Sequence, residues 1–328
     1  MMVSQSMKQR TFADLEQAHK KKVTRREKFL SEMDAVIPWA RLEALIAPHY
    51  PKPKAGKPGR RPLSLATKLR IYCLQQFYGL SDPGAEEALY DSDAMRRFAG
   101  ITLTDEAVPD ESTILQFRRL LERHGLTEQI FAEVNAHLRE RGLMLREGTL
   151  VDATLIQAPS STKNQSGSRD PDMSQTRKGN QWYFGCKAHI GADAHSGLVH
   201  TVIGTTAKVA DITKTEALLH GEERIVLGDA GYRRTGRSLD APAPDRGPRI
   251  VTPYVRSAGK ALLEWQRAAN RRLASLRARV EHPFRIVKCQ FGYTKVRYRG
   301  LTKNTAHLHS LFAMANLVAA RRRLLATG

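Results

Sequence analysis

At Glu147 the apolar pattern of this chain changes period, and that switch limits the fold more than any other feature. Upstream, from Phe29 to about Leu145, apolar residues recur at helical spacing. They do so in residues 32–47, Leu65–Phe77, Ala85–Tyr90 with Ala94–Phe98, Ser112–His124 and Glu128–Arg141. Asp110 is placed to cap the helix that starts at Glu111-Ser-Thr-Ile-Leu115, and Gly125 to stop it. Downstream the runs are short and strand-like, and two of them carry a lone acid. These are Asp152 in Thr149-Leu-Val-Asp-Ala-Thr-Leu-Ile156 and Asp229 in Ile225-Val-Leu-Gly-Asp-Ala-Gly-Tyr232.

The rest of the second half fits around those strands. Trp182–Ala194 and Leu198–Thr206 predict a hairpin turning at His195-Ser-Gly197. A helix follows at Ile212–Leu219, then strands at Arg224–Leu227 and Arg249–Pro253, and basic helices at Ala258–Val280 and Leu308–Leu325. The apolar-poor stretch at about 158–181 reads as a long loop or flexible insertion. The expected organisation is a basic arm at 1–28, an all-helical domain at 29–145, and an α/β domain with a mixed sheet at 146–328.

Charge narrows the partner. A net charge of +20 and a pI near 10.1 favour a polyanion, because Lys and Arg bound to phosphate release condensed counterions. There is no apolar run of about 18 residues and no early signal-peptide pattern, so the chain is expected to be soluble and intracellular, with no membrane partner. Cys73, Cys186 and Cys289 form no C-x-x-C pair and are read as buried or inert thiols.

Within this charge one acid stands out. Arg249 to Gly328 holds 17 Lys and Arg residues but only two acids, Glu264 and Glu281. Taken singly, Asp152, Asp229 and Glu281 each have an ordinary structural reading: a loop cap, a turn, and an ion pair with Arg277 one helical turn back. Taken together, a strand Asp, a strand-end Asp and a helical Glu can converge at one end of a sheet. Ionised carboxylates in contact repel by about 4 kcal/mol per pair at an effective dielectric near 20, so such a cluster calls for cations. Two divalent ions on oxygen ligands would activate a water or a 3′-hydroxyl and stabilise the leaving oxygen. Arg277, Glu281 and Lys288, spaced by four and seven, share one face of a continuous helix, although Pro283 should kink it.

Other segments allow two readings. The break at Gly79-Leu-Ser-Asp-Pro-Gly84 fits a helix-turn-helix or any small helical bundle. Lys57-Pro-Gly-Arg-Arg-Pro62 suits insertion of Arg60 and Arg61 into a minor groove, or a charged linker. His189, His195 and His200 could bind zinc, or be ordinary core and surface histidines. Trp182, Tyr183 and Phe184 could stack on an unpaired or flipped base, or fill a sheet core. Lys208, Lys214, Arg233, Arg234 and Arg237 would bind phosphate if they share the acidic face.

Several motifs resemble one family in combination. Val280-Glu-His-Pro-Phe-Arg285, Phe291-Gly-Tyr-Thr-Lys-Val-Arg-Tyr-Arg-Gly-Leu301 and Leu311-Phe-Ala-Met-Ala-Asn-Leu317 look like the C-terminal signature of bacterial insertion-sequence transposases of the IS-five type (transposase group four). So do Asp110-Glu-Ser-Thr-Ile-Leu115, Ala158-Pro-Ser-Ser-Thr-Lys-Asn164, Gly179-Asn-Gln-Trp-Tyr-Phe-Gly185 and Gly228-Asp-Ala-Gly-Tyr232, and the likeness runs from about Phe29 to Ala320. The resemblance implies an RNase H-like catalytic domain preceded by a helical DNA-binding domain, with a DDE triad of Asp152, Asp229 and Glu281. It also implies Mg2+ or Mn2+, two ions, for cleavage and strand transfer at terminal inverted repeats. Arg277, Glu281 and Lys288 match the family's Tyr-x2-Arg-x3-Glu-x6-Lys signature, with Ala274 in place of the Tyr.

The expected DNA contacts are Arg277, Lys288, Arg60, Arg61, Arg118, Arg119, Lys295, Arg297 and Arg299. The expected partners are double-stranded DNA (transposon ends and target) and further copies of the chain, as a homodimer or higher homo-oligomer on DNA in the bacterial cytoplasm at the nucleoid. An RNase H-like nuclease and a non-catalytic, domesticated DNA-binding protein are the competing readings.

Overall fold

The helical half forms as its caps dictate. The computed structural model describes residues 22–51, 63–102, 107–145, 147–163, 165, 167–233, 248–256 and 260–327. Helix α1 (Arg25–Val36) starts with a reciprocal cap: Glu27 N–H donates to Thr24 Oγ1 (3.1 Å), and Thr24 N–H to Glu27 Oε2 (2.8 Å). Residues 32–47 do not make one helix. Ile37 is held extended before Pro38, and α2 (Trp39–Ile46) starts afresh. Then come α3 (Leu65–Tyr78), α4 (Asp82–Asp91), α5 (Asp93–Ala99), α6 (Glu111–Arg123) and α7 (Leu126–Glu140). Asp110 caps α6 as expected, accepting from Thr113 N–H at 2.6 Å. Helix α3 is buried from Ile71 to Phe77, which makes it the centre of this half.

The second half is a mixed sheet. Strands β1 (Gly148–Gln157), β2 (Ser174–Lys178), β3 (Gln181–Asp193), β4 (Val199–Thr206), β5 (Ile225–Leu227) and β6 (Arg249–Val251) run in the order β2-β3-β1-β5-β6, with β4 also on β3. Strand β1 is antiparallel to β3 and parallel to β5, and β5 is parallel to β6. Both β2 and β4 pair antiparallel with β3, β2 along residues 181–185 and β4 along 186–192. They meet where Ser174 Oγ lies 2.7 Å from Thr206 Oγ1. The expected hairpin turn forms at residues 195–197, with Asp193 Oδ1 accepting from His195 N–H, Ser196 N–H and Ser196 Oγ.

Two helices close the chain, α8 (Glu264–Arg285) and α9 (Leu301–Thr327). Helix α9 packs on β4, α7 and α1, and its Phe312, Ala313, Leu317 and Ala320 are fully buried. Each large apolar side chain buried in this way contributes about 1.5–3 kcal/mol. Asn316 ties three elements together inside that contact: its amide donates to Asn135 Oδ1 (2.8 Å) and Val199 O (2.7 Å), and its oxygen accepts from Val199 N–H (2.9 Å). The buried core is continuous from Leu30 to Leu324, so sheet and helices share it.

Two local expectations are corrected. Part of the 158–181 insertion is ordered: Ser174–Lys178 is a strand and Met173 is buried. Asp170 and Asp172 anchor it by accepting from Gly300 and Leu301 N–H at the start of α9 (2.7 and 3.0 Å). Ile212–Leu219 forms two 3-10 turns, not an α-helix, because the Thr213 and Thr215 hydroxyls donate back to the carbonyls of Ala210 and Ile212. Cys73 and Cys186 are buried, but Cys289 is exposed. Arg60, Arg61, Arg234 and Arg237 lie outside the described residues.

Candidate active site

Asp152 sits midway along β1, whose apolar neighbours Leu150, Val151 and Ile156 are fully buried. Its Oδ1 accepts from Ala153 N–H at 2.8 Å. Burial pushes its carboxyl up to about 6; the Ala153 N–H and the Arg277 charge pull the other way, and Asp229 and Asp211 add to the rise. Asp229 follows β5, the parallel neighbour of β1, and caps a short 3-10 turn by accepting from Gly231 N–H at 2.8 Å. Tyr232, buried against Val151, Leu218 and Val226, anchors that turn.

Asp211 is the acid that sequence reasoning missed. It follows β4, which runs in the same direction as β1, and so stands at the same end of the sheet as Asp229. Its Oδ1 accepts from Lys187 Nζ at 2.9 Å and lies 3.7 Å from His189 Nδ1. Its place is set by the direction of β4, which the sequence alone does not give.

Helix α8 packs against β1 and brings Arg277 to Asp152. Arg277 Nε is buried with no hydrogen-bond partner among the described residues. Glu281, one turn further along, is exposed, and Asp152, Asp229 and Glu281 are not gathered within metal-ligand spacing of one another. Mutual repulsion of ionised carboxylates favours that separation. Lys288 Nζ donates to Thr154 Oγ1 (2.6 Å) and Leu155 O (2.9 Å), so it reaches the same strand.

Pro283 does not break the helix. The α-helix continues to Arg285 and widens into a π-turn at Ile286–Gln290. Proline has no N–H for the Arg279 carbonyl four residues back. The β3–β4 turn comes close at that point: a Cβ on Gly197 would lie 3.0 Å from Arg279 O, and Gly197 has φ 74°. Arg279 Nη1 in turn donates to Ala194 O at 2.7 Å.

Four of the expected DNA contacts meet elsewhere. Arg118, Arg119, Arg297 and Arg299 line one open groove of about 680 Å³ together with Arg123, Tyr298 and Lys303. Arg118 is held there by Asp82 (2.9 Å) and Glu122 (3.0 Å) and lies over the Tyr298 ring. Lys295 is exposed, and its segment bridges to Gln157 at the end of β1. Of the flanking cations, Lys208 and Arg233 are exposed.

Residues 143–317 match the family described as Transposase DDE domain. The chain belongs to that family. Residues 17–120 match a second family, described as Transposase domain (DUF772). No solved structure matches the chain. The chain is therefore a DNA transposase, an enzyme that cleaves DNA and transfers strands. No helix among the described residues is long and apolar enough to cross a membrane.

DDE transposases depend on divalent metal, and one group of described residues has metal-ligand spacing. In it His200, His220 and Glu223 place ligand atoms within 4.8 Å of one another. This transposase does not build that group from its strand acids. Glu223 accepts from His220 N–H (2.6 Å), Gly221 N–H (2.8 Å) and Thr149 Oγ1 (3.0 Å), and Thr149 is 3.0 Å from His200 Nε2. Thr149 and Asp152 are an odd number of residues apart on β1, so the two sites face opposite sides of the sheet. The three histidines singled out in the sequence do not meet: His189 is buried against Thr205 (2.7 Å), and His195 is exposed.

Proposed function

We propose that the chain is an insertion-sequence transposase of the IS-five type, with an RNase H-like domain at 146–328 after a helical DNA-binding domain at 29–145. The observation that carries the reading is the parallel pairing of β1 with β5, which sets Asp229, just past the end of β5, beside the strand of Asp152, with Arg277 and Glu281 on the helix packed against β1. The strand order around β1, antiparallel on one side and parallel on the other, supports the RNase H-like assignment.

Asp152 and Asp229 are the principal metal ligands in this reading, and Glu281 completes a second site. An all-oxygen donor set suits Mg2+ or Mn2+. Two such ions would activate the attacking water or 3′-hydroxyl and stabilise the leaving oxygen. Arg277, beside Asp152, offsets part of the burial that raises that carboxyl and offers its guanidinium to the scissile phosphate. Lys288 holds β1 in place and adds charge on the same face.

DNA reaches this face from the basic groove. Lys295 stands where its segment meets Gln157, about 17 Å along the strand from Asp152. Arg118, Arg119, Arg297 and Arg299 beyond it bind backbone phosphates. The enzyme works as a homodimer or higher oligomer on the two element ends, at the nucleoid.

Strand transfer tests this reading. Labelled DNA carrying the element's terminal inverted repeats, incubated with the enzyme, Mg2+ and a target plasmid, should yield joined products. Cleavage without joining would favour the RNase H-like nuclease.

A further inference from the structure

The β2–β3 hairpin carries a large apolar side chain that the core does not use. Trp182 is 65% exposed, whereas Phe184, two residues on, is half-buried against the core. Register fixes which way Trp182 faces. Asp152 pairs with Ile190, and residues paired across neighbouring strands project to the same side of a sheet. Trp182 precedes Ile190 by an even number of residues on the same strand, so it stands on the Asp152 face.

Other groups on that face lead from the acid to the Trp. Lys288 lies against Thr154, which shares the parity of Asp152. Arg169 lies over the Phe184 ring at 5.5 Å and lines a cavity with Arg297 and Arg299. Arg177 pairs directly with Trp182, so both side chains leave the sheet on the same side. The Arg177 side chain is steadied by hydrogen bonds to Gly179 O (3.0 Å) and Asn180 Oδ1 (3.3 Å). An exposed indole beside a cation matches the face and charge of a nucleobase on its phosphate chain.

We propose that Trp182, with Arg177, is a stacking platform for an unpaired base of the DNA strand flanking the cut. The platform rests on the reading that places the scissile phosphate at Asp152. Along β3 the two positions are about 26 Å apart. At the duplex rise of 3.4 Å per nucleotide that is about eight nucleotides from the scissile phosphate, an upper bound because an unpaired strand extends further per nucleotide.

Binding of the full chain to two substrates tests this. One is a fully paired element end; the other is the same duplex with an unpaired flanking arm of about ten nucleotides, longer than the greatest reach of about eight. Trp182→Ala should weaken binding of the armed substrate by about 5- to 100-fold, and Trp182→Phe should retain most of the affinity. Affinity for the paired end should be unchanged. A 2-aminopurine walked through the arm, up to about eight nucleotides in, should be quenched at one or more positions by the wild type and at none of them by Trp182→Ala. Equal affinity of Trp182→Ala and wild type for the armed substrate overturns the proposal, as does an equal loss on both substrates. Asp152→Asn should bind both substrates like the wild type, and its cleavage is scored separately. Failure of the platform is thereby distinguished from failure of the catalytic reading.

Discussion

Arg277 on α8 lies close enough to Asp152 on β1 to offset part of the cost of burying that carboxylate, while its own Nε is buried with no acceptor among the described residues. A buried N–H left unpaired costs about 1–3 kcal/mol, so this geometry is costly unless the guanidinium serves a substrate. Arg277→Gln should therefore do two things. It should raise the Asp152 pKa above about 6 and shift the acid limb of the cleavage profile upward by up to about one pH unit. It should also lower cleavage at the pH optimum. A pH–rate profile with an unmoved acid limb would separate Arg277 from Asp152.

Asp152 itself should weaken the fold it serves. Its carboxyl is raised from 3.8 to about 6, so the native state resists ionisation more than the unfolded chain does. The stability it contributes is present below about pH 4 and is lost as the pH rises through about 6. In chelator at pH 8, Asp152→Asn should raise Tm, by an amount corresponding to at most roughly 3 kcal/mol, and abolish cleavage. Thermal melts of both proteins at pH 4 and pH 8 check this. A variant destabilised at pH 8 would mean that the carboxylate is held by partners that favour its charge.

The contact between the β3–β4 turn and α8 gives a structural test. Gly197→Ala would place a Cβ 3.0 Å from the Arg279 carbonyl at a φ of 74°. It should cost about 1–3 kcal/mol in urea unfolding. Because the turn braces the helix that carries Arg277 and Glu281, cleavage should fall by more than the loss of folded protein explains.

The basic groove predicts a salt effect. Arg297→Glu and Arg299→Glu should each weaken DNA binding regardless of base sequence, and each should lower the salt slope of log K by about 1. Arg118 is already paired with Asp82 and Glu122, so Arg118→Gln should change that slope less and stability more.

What the sequence revealed and what it hid have physical causes. Asp152 and Asp229 were legible because each interrupts an apolar run that must be buried, and Glu281 because it is isolated among cations. Asp211 was not legible, since an acid ahead of an expected helix reads as a cap; only the direction of β4 brings it to the other two. His220 and Glu223 gave no signal, because their link to His200 runs through the tertiary position of Thr149. Local composition misread the insertion: Asp170 and Asp172 look like solvated loop residues until the start of α9 arrives to donate to them. Pro283 was legible as an irregularity, but not the π-turn at Ile286–Gln290 that follows it, since the helix continues through the proline to Arg285.

The central claim is that Asp152, Asp229 and Glu281 act together as the catalytic acids. Its most direct test is metal-dependent cleavage of labelled DNA bearing the element's ends, with wild type beside Asp152→Asn, Asp229→Asn and Glu281→Gln. The account predicts cleavage at the element boundary with Mg2+ or Mn2+, lost in all three variants while each still binds the DNA near wild-type affinity. Retained cleavage by Glu281→Gln, with loss in an Asp211→Asn control, would contradict it and move the third carboxylate to Asp211.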